Sequence, residues 1–141
     1  VITKLGLMIG LNSGTNSKLA VIGGILTIAI ADSFSDAMGI HVSEESENVH
    51  TTKEIWESTL CTLLVKFFVA SSFVIPVIFL NLTNAMIFSL IYGFLLLGIF
   101  SYRMAKNQNK KVTHVISEHL LVGTIVVLLA HYSGILISNI F

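Results

Sequence analysis

Two acids four residues apart, Asp32 and Asp36, follow the apolar run SKLAVIGGILTIAIA. On a helix that spacing stacks both carboxylates on one face, and Gly39 and Ser43 continue the stripe. A carboxylate inside a bilayer costs roughly 3 kcal/mol on insertion scales, so a stacked pair predicts a path for a cation, a proton or water. Directly beyond them lie His41, Glu44, Glu45, Glu47 and His50. Carboxylates and neutral imidazoles suit Fe²⁺, Mn²⁺ or Zn²⁺, and Met38 offers a softer sulfur that favours a transition metal over Mg²⁺ or Ca²⁺. Such ligands lose protons as they bind a cation, so exchange against protons is expected. Most of these residues have a plain alternative: EESE reads equally as a solvated helix end, and Met38 as a packing residue. Solvation does not account for the stacked acids at membrane depth.

The elements that carry these residues must be membrane helices. The chain has 141 residues, of which 54% are hydrophobic and 11% charged, with a mean hydropathy of +0.86. A soluble domain is about 25% charged, so the expected class is an all-α, polytopic integral membrane protein in contact with lipid, a single transmembrane domain over residues 1–141. The single cysteine, Cys61, cannot make an internal disulfide, and no zinc-binding Cys/His spacing occurs. The formal net charge of zero gives no basic surface for phosphates, so nucleic acid is not expected as a partner. The apolar opening at Val1 lacks the charged start of a signal peptide and is expected to lie within a first span.

Hydropathy predicts five spans, at about 1–12, 18–42, 59–80, 85–102 and 116–141, the first truncated at Val1. NSGTNS is a turn in which Ser17 can cap the second helix. At 1.5 Å per residue, Asp32 and Asp36 then lie roughly 21 and 27 Å along that helix, nearer its far end. KEIWES is expected as an amphipathic lead with Trp56 at the interface. The third span carries Lys66 and Pro76, and the proline is expected to kink it for packing. Lys4 must snorkel, face a cavity or pair with Asp32 or Asp36. Gly6, Gly10 and Gly14 repeat every four residues and predict a close helix contact. On the last span, Glu118, His119 and His131 are the candidates for a proton path, although His131 reads equally as a bond to a neighbouring helix.

Basic residues set the expected orientation. Lys53, Arg103, Lys106, Lys110 and Lys111 flank the links after the second and fourth spans, whereas those after the first and third hold only Lys18. The former side is therefore expected to be cytoplasmic, which leaves the C-terminus outside or lumenal and sets His41 and the glutamates at an intracellular mouth.

The stretch GLNSGTNSKLAVIGGILTIAIADSFSDAMGIHVSEESE resembles the first loop and second helix of the vacuolar iron transporter family. The proline in the third span, the basic loop after the fourth and a last helix opening near EHLLVG follow that family's order. The resemblance implies a five-helix protein that exchanges cytosolic Fe²⁺ or Mn²⁺ for protons, in the cell membrane of a prokaryote or the vacuolar membrane of a eukaryote. It also implies a homodimer with the metal path between two copies of the first and second helices, an interface Gly6, Gly10 and Gly14 would suit. Three departures stand out. Aligned without gaps through SEESE, the methionine that commonly ligates metal in the second helix falls on Asp36, which makes the site all-oxygen; a shift of two residues falls on Met38. The acid usual in the first helix would precede Val1. The glutamate-rich cytoplasmic domain of plant and fungal relatives has no counterpart in the short link from Asn48 to Ser58, and the EESENVH segment would be its reduced substitute.

The expected function is therefore proton-coupled export of Fe²⁺ or Mn²⁺ from the cytoplasm, the metal being cargo rather than cofactor. Asp32, Asp36 and Met38 would bind the ion, and His41, Glu44, Glu45, Glu47 and His50 would recruit it. The alternative is a membrane-anchored metal sensor or scaffold using the same acids. An enzyme is not expected, since no Ser/His/Asp, His-Glu-x-x-His or Gly-x-Ser-x-Gly arrangement is present.

Overall fold

The computed structural model describes residues 1–140, in which six helices follow one another and no strand forms. They are α1 (Ile2–Thr15), α2 (Lys18–Glu47), α3 (Thr52–Ser71), α4 (Val74–Phe79), α5 (Leu82–Asn107) and α6 (Val112–Ile140). Phe141, the end of the expected last span, lies outside the described residues.

The helix ends follow local chemistry. Asn16 and Asn48 close α1 and α2 in the left-handed conformation, with φ of 45° and 52°. Asparagine tolerates that region better than most side chains. Ser17 caps α2 by accepting from the Ala20 N–H at 3.3 Å. Thr51 and Glu54 form a capping box at the start of α3. That box starts α3 at Thr52 rather than near 59, so KEIWES forms the first turns of the membrane helix and not a separate lead.

Pro76 breaks the third span rather than bending it. Proline has no N–H to offer the carbonyl of Ser72, which instead accepts from the Ile75 N–H at 3.2 Å. The chain turns at Ser72 and Phe73, and the Ser72 hydroxyl donates to the Val69 carbonyl at 2.7 Å and lies 3.0 Å from the Tyr92 hydroxyl. α5 continues to Asn107, past the expected limit of 102, so Arg103 and Lys106 sit on its last turns and the basic loop shrinks to 108–111.

Four helical segments, α2, α3 with α4, α5 and α6, are long and apolar enough to cross a membrane. α1 has 14 residues, roughly 21 Å, and is short of the approximately 30 Å hydrocarbon core. Large apolar side chains face outward on the long helices, among them Phe34, Phe68, Leu95, Leu129 and Leu136. This is the surface of an integral, multi-pass membrane protein, which hides its apolar groups in lipid rather than in a core.

α1 is central and packs against α2, α5 and α6, while α2 and α3 form an antiparallel hairpin. The core joins Leu5 and Met8 of α1, Val21 and Ile25 of α2, Phe73, Val77 of α4, and Ala85 and Met86 of α5. The glycine stripe has a partner within the chain: Gly6, Gly10 and Gly14 face α6, against Val126, Ala130 and Gly134. Ala130 and Gly134 are themselves spaced by four, the matching small-xxx-small signal on α6. Backbones approach closely there: a Cβ built on Gly134 would lie 2.4 Å from the Gly10 carbonyl oxygen.

Candidate cation site

A cavity of about 400 Å³ opens between α1, α2, α3 and the outer turns of α5. Lys4, Asp32, Asp36 and Lys66 line it, with Val65, Val69, Phe73 and Phe100 among its apolar walls. The stacked acids thus face one space, as their spacing predicts. Gly39 and Ser43, the continuation of their stripe, are exposed and lie outside the cavity lining.

Each acid has its own lysine. Lys4 of α1 pairs with Asp32, and Lys66 of α3 pairs with Asp36, both through a hydrogen-bonded ion pair. Asp36 lies eleven residues before the end of α2, roughly 16 Å, and Lys66 fourteen residues into α3, roughly 21 Å. The lysine stem therefore reaches back about one turn to meet the acid. The two pairs differ in access. The Lys4 side chain is 5% exposed and that of Asp32 25%, against 46% and 37% for Lys66 and Asp36. The other ion pair among the described residues, Lys53 with Glu57 at 3.6 Å, lies on the surface. The position of Lys66 across the hairpin from Asp36 is the signal in the sequence for this pair.

The remaining expected residues are dispersed. Met38 follows Asp36 by two residues, about 200° round the helix, is 52% exposed, and does not line the cavity. His41 Nδ1 lies 3.0 Å from the Thr59 hydroxyl, and its ring packs edge-on against Trp56 with centroids 4.7 Å apart. Glu44 accepts from the Ser58 hydroxyl at 2.7 Å. Both residues thus bind α2 to α3, while Glu45, Glu47 and His50 are exposed at the helix end. Among the described residues no group of three or more His, Cys, Asp or Glu side chains is assembled that could hold a metal ion.

The expected proton path is also divided. His119 Nδ1 is 2.7 Å from the Ser101 hydroxyl of α5, and His131 Nδ1 is 2.6 Å from the Ser13 hydroxyl of α1. The two imidazoles hold α6 to different neighbours, twelve residues apart, or about 18 Å along the helix. Glu118 is exposed.

On the opposite edge, Lys18 donates to the carbonyls of Ile78 and Leu80 at 2.8 and 3.2 Å. It satisfies carbonyls freed at the end of α4, where a cation also meets the negative end of the helix dipole.

No family model, no curated protein and no solved structure matches this chain.

Proposed function

We propose that this chain carries a divalent transition metal, Fe²⁺ or Mn²⁺, out of the cytoplasm in exchange for protons, with Asp32 and Asp36 as the carboxylates that hold the ion in transit. The observation that carries this reading is the pair of stacked acids facing one cavity well inside the long α2 helix. Charged groups at that depth pair with one another or line an ion path, and these acids do the first beside an open cavity. Two carboxylates supply too few donors for a divalent ion, which takes four to six or more ligands, so water or a second copy facing the open side of the cavity completes the shell. A homodimer is part of the proposal, formed through faces other than the Gly6, Gly10 and Gly14 stripe. Glu45, Glu47 and His50 at the free end of α2 gather the cation; His41 and Glu44 shape that mouth. The C-terminus lies outside or in the lumen.

The test is uptake of Fe²⁺ and Mn²⁺ into proteoliposomes that contain a pH dye, for the intact chain, Asp32→Asn and Asp36→Asn. Uptake with opposing proton flow, abolished by either substitution, is expected. A second reading, a membrane-anchored metal sensor or scaffold, draws on the lysines that already neutralise both acids. Metal bound at the α2 end with no uptake into vesicles would favour it.

A further inference from the structure

We infer that Lys4 and Lys66 are tethered counter-cations, whose ammonium groups occupy the places the transported cation takes and must be displaced for it to bind. The inference rests on the reading of Asp32 and Asp36 as the cation-holding pair and adds what holds them when no cargo is present. Among the described residues two of the three ion pairs lie in this one cavity, and they use every charged side chain that lines it.

The alternative role for such pairs is to staple helices, and the geometry argues against it for Lys66. A staple is held by side chains packed round both partners. Lys66 and Asp36 are 46% and 37% exposed and face the cavity, so the ammonium has room to swing away from the carboxylate. Lysine also suits displacement better than arginine: its ammonium is a compact charge on a flexible stem, without a planar fork to clamp the carboxylate.

Charge gives the second argument. With both lysines seated, two ammonium groups balance two carboxylates. A divalent ion on the same carboxylates carries the same positive charge as the two ammonium groups it replaces. The carboxylates are therefore covered in the empty and the loaded states alike, which removes the large cost of leaving them bare, while the displaced ammonium groups keep their charge and must swing on their stems to the open side of the cavity. A monovalent ion leaves one carboxylate uncovered unless one lysine stays. The device prevents a bare anionic site on the return step. Exposure sets the order of events: Lys66 leaves first, and the enclosed Lys4 second.

The test is Mn²⁺ titration of the full chain in detergent, read from loss of the electron paramagnetic resonance of free Mn²⁺. Lys66→Met is expected to tighten Mn²⁺ binding about tenfold or more, because the competing partner of Asp36 is gone. Lys66→Arg keeps the counter-charge and is expected to bind no tighter than the natural chain. Amine labelling of the natural chain, read by mass spectrometry, gives a measure independent of any substitution: Mn²⁺ is expected to raise modification of Lys66 several-fold by freeing it. Unchanged or weaker Mn²⁺ binding in Lys66→Met, or Lys66 labelling that Mn²⁺ leaves unchanged, would overturn the counter-cation role. If Asp36→Asn still abolishes Mn²⁺ uptake in that case, the transport reading survives. If neither the natural chain nor Lys66→Met binds Mn²⁺, the counter-cation role is overturned, and uptake of Fe²⁺ into proteoliposomes decides the transport reading separately.

Discussion

Lys4 shows what a single residue can cost or contribute at membrane depth. Its side chain is 5% exposed and its partner Asp32 25%, so removal of the ammonium leaves a carboxylate with little water to replace it. Breaking a buried pair by removing one partner is costly, about 3–5 kcal/mol for fully enclosed charges and less as exposure grows. Lys4→Met is therefore expected to lower stability by about 2–4 kcal/mol, and Lys66→Met by much less, since its pair is open. The double variant Lys4→Met with Asp32→Asn should recover most of the loss. Denaturant midpoints of the four proteins in one detergent decide this; equal losses for the two single variants would contradict the difference in burial. The residue types alone suggested that Lys4 would meet Asp32 or Asp36. Which acid, and the fact that Lys66 takes the other, depends on how α1 and α3 flank α2.

At the scale of elements, the helix boundaries rest on caps and on one proline. The Thr51 hydroxyl accepts from the Glu54 N–H at 3.4 Å, and the Glu54 carboxylate accepts from the Thr51 N–H at 2.8 Å. Thr51→Ala is expected to cost about 1 kcal/mol and to fray the first turn of α3, visible as faster amide exchange over 52–55. The same Thr-x-x-Glu spacing was present in the sequence, but the hydropathy window favoured the apolar segment that starts later. Between α1 and α6, the contact is one of backbones. A Cβ on Gly134 would lie 2.4 Å from the Gly10 carbonyl oxygen, whereas one on Gly10 would lie 3.3 Å from that of Ala130. Gly134→Ala should therefore destabilise by about 1–3 kcal/mol through forced separation of the helices, and Gly10→Ala by less. The reverse order in thermal denaturation would show that α1 and α6 do not meet in this register. The spacing of Gly6, Gly10 and Gly14 announced a close approach but not its partner, because the pattern carries no information on which helix it meets.

For the whole molecule, the arrangement of links is the testable feature. The turns at Asn48 to Thr51 and at 108–111 join helices at one end of the bundle, and those at Asn16 and Asn81 join them at the other. Lysine and arginine concentrate at the first end, so single cysteines at Gln108 and at Asn81, in a Cys61→Ser background, are expected to label from opposite sides with a membrane-impermeant maleimide. Reaction at Gln108 only after the cytoplasmic face is opened would bear out the orientation; reaction of both from the same side would refute the topology.

Composition and hydropathy determined the all-helical, membrane-spanning character, since a chain this apolar must satisfy its backbone within helices. The four-residue spacing of Asp32 and Asp36 likewise determined that they share a face, because helical geometry leaves no choice. Tertiary structure alone decided the partners. It moved Met38 out of the site, tied His119 and His131 to different serines, and turned the glycine stripe inward onto α6. It also set a lysine from each flanking helix against each acid. The physical reason is range: periodicity along one helix fixes which side chains point together, whereas what they point at depends on contacts between segments distant in sequence.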